Sequence, residues 1–398
     1  MRALSMTRSR AGGRSADALS RMDVTLMAIA CALAVATLYY NQPLLPQIGA
    51  SFGRSPAQST FITTATQFGY TVGLFFFVPL GDKLDRRRLV CGLAALNVAA
   101  LLAAAFARNL DALAWSSFAI GLTTVSAQIV IPAVSGFATE AERGRVVGAL
   151  LSGMSAGLLF SRAFSGFVGA HGGWRLMFVL AAIVDLVLIA VIWLRLPTRG
   201  ERGVISYLSL LRSLWTLLRT EPTLRAACLT GFLMFASYSA FWSSLAGLLA
   251  SPPYRFGSDV AGEFGLVAIV GLLLSPTIGR TVDHHGPRPA LAAGALSLFG
   301  AFLLVAGSAK AIALLVAGAV LIDFGSRAGV VANQSRIYAL SAAARSRLNT
   351  VFMTAFFLGG SIGTAVAAEL VARLSWLGLA IAGGGFALAA LAAHLATQ

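Results

Sequence analysis

Residues 81–88 of the chain read GDKLDRRR, and residues 279–288 read GRTVDHHGPR. Both stretches lie between long apolar runs and share a Gly-x-x-x-Asp core, from Gly81 to Asp85 and from Gly279 to Asp283. A polar, basic loop that recurs about half a chain later indicates an internal repeat. The sequence therefore predicts two related halves that are embedded in a membrane.

The composition predicts that lipid surrounds most of the chain. Of 398 residues, 58% are hydrophobic and 11% are charged, which is more apolar surface than one soluble core can hide. The three cysteines, Cys31, Cys91 and Cys228, lie singly within apolar runs, and the four histidines are scattered. The sequence therefore predicts no disulfide, no metal site and no cofactor.

Apolar runs long enough to cross a bilayer occur twelve times. A bilayer core of about 30 Å needs roughly 20 apolar residues per helix. The predicted spans are 24–46, 58–80, 89–107, 112–136, 146–170, 176–195, 224–249, 260–280, 289–308, 311–336, 348–370 and 375–395. This pattern predicts an all-α membrane protein with twelve transmembrane helices in two pseudo-symmetric six-helix bundles.

Four segments follow from these spans. Residues 1–23 form an N-terminal tail, 24–195 the first six-helix half, 196–223 a linker, and 224–398 the second half. The linker carries an apolar stripe at helical spacing, which predicts an amphipathic helix at the membrane surface rather than a flexible tether. The stripe consists of Val204, Tyr207, Leu208, Leu211, Trp215 and Leu218.

The positive charges are distributed unevenly across the predicted membrane. Of the 30 Lys and Arg residues, 22 fall on one side, 6 on the other, and Arg162 and Arg327 within spans. The positive-inside rule then places both termini and the linker in the cytoplasm. Since this asymmetry accounts for the net charge of +15, we expect no nucleic-acid partner.

Small residues recur at every fourth position of spans five and eleven. The first row is Gly153, Gly157, Ser161, Ser165 and Gly169, and the second is Gly359, Gly363 and Ala367. Such rows let helix backbones approach closely. We expect the two rows to meet across the pseudo-two-fold axis as a hinge surface; the alternative is ordinary dense packing.

The chain resembles the major facilitator superfamily over essentially its full length. The loop at 81–88 is similar to the superfamily's signature loop, with Asp85 and Arg86 matching its central Asp-Arg pair, and Asp283 and Gly286 keep their positions in the second copy. Residues 39–45, 128–132 and 333–338 resemble a branch of bacterial drug-proton antiporters and efflux permeases. The chain departs from that branch at Ser117, where the branch has arginine, and at Leu158, where it has proline.

The resemblance implies a monomeric, multi-pass transporter of the bacterial inner membrane, without enzymatic activity. Its partners would be a small-molecule substrate, protons and the lipid bilayer. In this superfamily the first, fourth, seventh and tenth spans line the central cavity. We therefore expect a secondary active transporter, with proton-coupled efflux of a small organic compound such as a drug, sugar or metabolite. The alternatives are a uniporter or symporter and a non-transporting sensor.

Inserting an ionisable residue within a span costs about 2.5 to 3.5 kcal/mol on insertion scales, so each such residue is a candidate for a functional role or an ion pair. The i, i+4 spacing of Asp323 and Arg327 puts them on one helix face, where they act either as a proton-coupling site or as a structural pair. Arg162 is a third coupling candidate, as an anchor for an anion or for a distant carboxylate. We expect Asp185 to pack locally or to pair with Arg162.

Uncharged polar residues within the spans are the candidates for the substrate cavity. For each one, an interhelical hydrogen bond is the alternative to substrate contact. Pro43 and Pro46 should also break span one near its end. The cavity candidates are Tyr39, Tyr40, Asn41, Gln42, Gln128, Tyr238, Trp242, Asn333 and Gln334.

Neither an ATP-binding loop nor a cluster of catalytic residues is present in the sequence. We therefore predict that the repeated loops gate the protein rather than catalyse a reaction. Their residues are Gly81, Asp85, Arg86, Gly279, Asp283 and Gly286. In this interpretation glycine makes a tight turn, and the carboxylate holds a helix N-terminus or an arginine of the other half.

The latch hypothesis predicts the effect of Asp85→Asn. The variant should insert normally and lose transport, because the amide cannot supply the charge that holds the other half. Transport in proteoliposomes, normalised to inserted protein, measures this. Unimpaired transport would remove the latch.

Overall fold

The computed structural model describes residues 20–196, 206–341 and 344–397, and within them every regular element is a helix. The fold class predicted from the sequence is therefore confirmed. Most of the predicted N-terminal tail, and Val204 of the predicted stripe, lie outside these residues.

The first half comprises eight α-helices and one 3-10 helix, Gln42–Leu44. The α-helices are α1 (Arg21–Ala36), α2 (Leu45–Ser51), α3 (Pro56–Ser59), α4 (Phe61–Leu80), α5 (Arg86–Ala105), α6 (Leu110–Thr123), α7 (Ser126–Ser135) and α8 (Glu140–Arg195).

Within residues 206–341 and 344–397, the linker and the second half contain seven α-helices and two 3-10 helices, Phe264–Val267 and Ser308–Lys310. The α-helices are α9 (Tyr207–Thr220), α10 (Pro222–Ala250), α11 (Ser258–Glu263), α12 (Ala268–His285), α13 (Pro287–Ala306), α14 (Ile312–Tyr338) and α15 (Arg345–Ala396).

Two helices are too long for one crossing and turn back. A straight helix of the 56 residues of α8 would be about 84 Å long at 1.5 Å per residue. It reverses at Gly173 (φ +78°), so that Arg195 pairs with Asp23 at the start of α1. In the same way, α15 reverses at Ser375 (φ +51°). Each therefore supplies two crossings.

Twelve crossings result, as the sequence predicts. In the described residues, eight helices are long and apolar enough to span a membrane, and α8 and α15 are two of them. The first and eighth crossings are interrupted helices. The first runs from α1 to α2 through the 3-10 helix and α1 ends at Ala36, so the break begins before Pro43.

The small-residue rows pack within each half, and the expectation that they meet each other is wrong. A Cβ at Gly157 would lie 2.1 Å from the carbonyl oxygen of Ala32 in α1, and one at Gly363 would lie 2.1 Å from that of Ala236 in α10. Each row thus lets its helix touch the first helix of its own half. Small residues permit close backbone approach to whichever helix lies beside them, and here that helix belongs to the same half.

Gly81 and Gly286 lie in turns between helices, whereas the assignment of a turn to Gly279 is wrong. Gly286 has φ +80° between α12 and α13, whereas Gly81 ends α4 at φ −63° and Gly279 lies inside α12. Asp85 caps its own helix α5, accepting from the backbone N–H of Arg88 at 2.8 Å. This carboxylate holds a helix N-terminus of its own half in this conformation.

The linker helix is shorter than the predicted segment and packs with a different face. In α9, Leu210 and Leu214 are buried, while Leu208 and Trp215 are exposed. The Tyr207 hydroxyl donates to the carbonyl of Phe76 in α4 at 2.9 Å, and burial raises the pKa of this hydroxyl. Leu214 packs in the core of the second half, so the linker helix contacts both halves.

The close helix contact in the second half predicts the effect of Gly363→Ala. The added methyl group would meet the backbone of α10, and overpacking of this kind costs about 1 to 3 kcal/mol. We expect a lower Tm in thermal unfolding of the detergent-solubilised protein. Gly385→Ala in the same helix is the matched control, because nothing lies within 4 Å of its Cβ position. Equal Tm values would contradict the prediction.

Candidate functional site

A cavity of about 230 Å³ lies between the two halves. Residues of α1, α4, α7, α8, α10, α14 and α15 and of the turn after α1 line it, so more helices contribute than the four the resemblance implies. Its walls are mainly apolar and rich in aromatic rings, supplied by Tyr39, Tyr70, Phe235, Tyr238, Phe356 and Phe357.

The cavity continues toward one face of the protein. A second cavity of about 490 Å³ shares Gln128, Met154 and Met353 with the first. It extends to Arg345 at the start of α15. We call this face the basic face, since the loops at 81–88 and 136–139 and the linker helix also lie there, and the opposite one the far face.

The far face is closed by direct contact between the halves. A Cβ at Gly166 of α8 would lie 2.3 Å from the carbonyl oxygen of Ser258 in α11, and one at Gly262 would lie 2.5 Å from that of Arg162. The Ser258 hydroxyl donates to the Gly166 carbonyl at 3.1 Å, and Gln47 donates to the Ser258 hydroxyl at 2.9 Å. Backbones in such contact leave no passage on this side.

Asp323 is buried at the cavity wall, with 2% of its surface exposed. The Tyr238 side chain lies beside its carboxylate, and the Oδ2 of Asp323 has no hydrogen-bond partner. Arg327 lines the same cavity, and its Nε has no partner. No nitrogen of Arg327 lies within the 4.0 Å of an ion pair with Asp323, so the structural pair is not formed in this conformation.

Arg162 lies behind the cavity and has 1% of its surface exposed. Its Nε donates to the Gln42 Oε1 at 2.8 Å, and its Nη2 donates to the Tyr238 hydroxyl at 3.5 Å. The guanidinium carbon lies 4.0 Å from the ring centroid of Trp242 and 5.0 Å from that of Tyr39. Aromatic faces and neutral oxygens therefore surround this cation.

Asp185 does not pair with Arg162. It is buried within the first half, beside Asn97 of α5. Of the two expectations for Asp185, the structure supports local packing.

The structure places four of the nine predicted cavity residues in the walls of the cavities. Tyr39, Gln128 and Tyr238 line the first cavity, and Gln334 lines the second. Trp242 and Gln42 lie one layer behind, where they contact Arg162. Six of the nine therefore surround the central region.

Three predicted cavity residues serve their own half instead, so their assignment to the cavity is wrong in this conformation. Tyr40 packs in the core of the first half. Asn41 hydrogen-bonds to Thr63 and Thr66 of α4, and Asn333 accepts from Thr230 of α10. Successive helical residues point about 100° apart, so polar neighbours in sequence cannot all face one cavity.

Sequence reasoning missed the aromatic wall of the second half. Phe235 stacks on Phe356 with ring centroids 3.9 Å apart and contacts Phe357 at 5.0 Å. Phe235 lies three residues before Tyr238 and therefore on the same face of α10. This spacing could have predicted from the sequence that both rings face the cavity.

The protein consists of two similar helical halves around a cavity. The cavity is closed on one face and continues to the other, and this arrangement defines a membrane transport protein. The Major Facilitator Superfamily model matches residues 27–271. The chain belongs to this superfamily and is a transporter rather than an enzyme.

Known relatives agree with this assignment. The chain is 34% identical to the transporter YgaY of Escherichia coli (strain K12), over 93% of this chain and 94% of that protein. It is 33% identical to the transporter SCO4007 of Streptomyces coelicolor, over 95% and 88%. The fold is similar to that of the nucleoside transporter NupG, with a TM-score of 0.76, 13% identity and 94% and 99% coverage.

The far-face contact predicts the effect of Gly166→Leu. The side chain would meet the backbone of Ser258, so the closed far face should be destabilised and a cysteine placed by Ser258→Cys should react faster with a membrane-impermeant maleimide. The background for this assay lacks Cys31, Cys91 and Cys228. Gly148→Leu in the same helix is the control, since nothing lies within 4 Å of its Cβ position. An unchanged labelling rate in Gly166→Leu would refute the assignment of the closure.

Proposed function

We propose that this transporter exports a small organic compound in exchange for protons, by alternating access of the central cavity. The observation that carries the proposal is Asp323, a buried carboxylate at the wall of that cavity with an unpartnered oxygen. A buried carboxylate without an ion pair is stable only if it can take up a proton or attract a cationic group. Both responses suit a coupling site.

The lining of the cavity supports a compact substrate with apolar or aromatic groups. Rings of Tyr39 and Tyr70 lie on the side of the first half, and those of Phe235 and Phe356 on the side of the second. Flat apolar groups stack well between such rings. Polar groups are few and are concentrated at Asp323 and Arg327, so they would orient one end of the substrate.

The proposed orientation follows from the charges of the loops. The basic face would lie in the cytoplasm by the positive-inside rule, and both termini with it. The conformation described here is then open to the cytoplasm and closed to the outside. In a bacterium this places the protein in the inner membrane.

Uniport, symport and a non-transporting sensor remain the alternatives, and each predicts a different measurement. A uniporter would exchange substrate without moving protons. A symporter would move substrate and protons in the same direction, and a sensor would bind the compound without countertransport.

The test uses inside-out vesicles with an imposed pH gradient, challenged with a panel of drugs, sugars and organic acids. We expect at least one compound to dissipate the gradient in the wild type and not in Asp323→Asn, because the amide cannot exchange a proton. Asp185→Asn is the matched control, since that carboxylate lies within the first half.

The outcomes separate the alternatives. Gradient dissipation that survives in Asp323→Asn would refute this residue as the coupling site. Countertransport of a labelled compound without any proton movement would refute proton coupling and leave uniport.

A further inference from the structure

Arg162 belongs to the first half, yet much of its environment comes from the second. Trp242 and Tyr238 of α10 contribute a ring at 4.0 Å and a hydroxyl at 3.5 Å. Gln42 and Tyr39 of the first half supply the rest. The cation is thus enclosed only when α8 and α10 are close together.

The backbone around Arg162 is also part of the far-face closure. A Cβ at Gly262 would lie 2.5 Å from the Arg162 carbonyl oxygen, and one at Gly265 would lie 2.8 Å from the Arg162 Cβ. Any opening of the far face must separate α8 from these glycines. The same movement withdraws Arg162 from Trp242 and Tyr238.

Asp323 is connected to Arg162 through Tyr238. The Tyr238 hydroxyl accepts from Arg162, and the same side chain lies beside the Asp323 carboxylate, so one residue stands between the two charges. The groups that face Asp323 are Arg327 on its own helix, Tyr238 on α10, Arg162 on α8, and Tyr39 across the cavity. Among these, Arg162 is the charged group that comes from the other half.

We propose that Arg162 transmits the protonation state of Asp323 to the far-face closure. This inference rests on the proposed proton coupling. Ionised Asp323 attracts Arg162 through Tyr238 and stabilises the closed far face, whereas protonated Asp323 leaves a buried cation without a counter-charge. Opening of the far face then exposes Arg162 to water, which stabilises the charge.

The coupling is reciprocal, as linkage requires. A proton taken up by Asp323 while the far face is open meets the returning positive charge of Arg162 when that face closes. Closure therefore favours release of the proton from Asp323 into the cavity. In this conformation the cavity continues to the basic face. Arg327 cannot do this, because it moves with Asp323 on the same helix.

Two distances measured by double electron–electron resonance in nanodiscs test the proposal. One pair of spin labels replaces Asp111 and Lys310, which are exposed on the far face, and the other replaces Arg143 and Ser346, exposed on the basic face. On acidification of the wild type, the far-face distance should lengthen and the basic-face distance shorten. We expect the ratio of far-face-open to far-face-closed molecules to rise by about tenfold, a typical size for coupling between sites.

Three variants isolate the role of Arg162. Asp323→Asn should favour the open far face at every pH. Arg162→Gln should abolish the pH response, and Arg162→Lys should retain part of it because the charge remains. Arg175→Gln should retain it as the matched control, because Arg175 lies on the same helix and contacts Ala107 and Trp174 of its own half. A pH response in Arg162→Gln equal to that of the wild type would overturn the proposal, as would its loss in Arg175→Gln alone.

The failure of this inference differs from the failure of the proposed function. If vesicles show proton-coupled transport while Arg162→Gln keeps its pH-dependent distances, then Arg162 is not the transmitter and the proposed function stands. If no substrate moves protons and the wild-type distances ignore pH, then the proposed function itself is wrong.

Discussion

The close approach of helix backbones is the constraint on which the rest of the structure depends. Lipid does not drive apolar helices together, so contacts must come from packing and from interhelical hydrogen bonds. Gly157 against Ala32 and Gly363 against Ala236 close each half. Gly166 against Ser258 then joins the halves at the far face, and the cavity is the space that remains between them.

Much of this architecture could be predicted from the sequence, because the bilayer imposes length and hydropathy on every span. The twelve crossings, the repeated halves and a cavity position for Asp323 and Tyr238 all follow from residue type and spacing. The small-residue rows were also visible. Their partners were not, since a row indicates that a helix has a close neighbour without naming the neighbour.

The details of the site depend on side-chain directions, which the residue pattern does not give. Tyr39 faces the cavity while Tyr40 packs in the core, although both are tyrosines at the same depth. Asp323 and Arg327 have the spacing of an ion pair, yet they form none, and Tyr238 of another helix lies beside Asp323. Contacts between helices distant in sequence decided each of these cases.

The reversals at Gly173 and Ser375 give the fifth and eleventh crossings a mechanical property. Each continues directly into the next crossing, with one residue of non-helical backbone and no loop between them. A displacement of the fifth crossing must therefore carry the sixth with it. Since the sixth crossing exposes Leu186, Val187 and Trp193 on its outer surface, movement at the centre of the protein changes the outline that it presents to the surrounding lipid. If the proposed alternating access displaces the fifth crossing, the protein performs work on the bilayer, and the thickness and lateral tension of the membrane enter the energetics of its turnover.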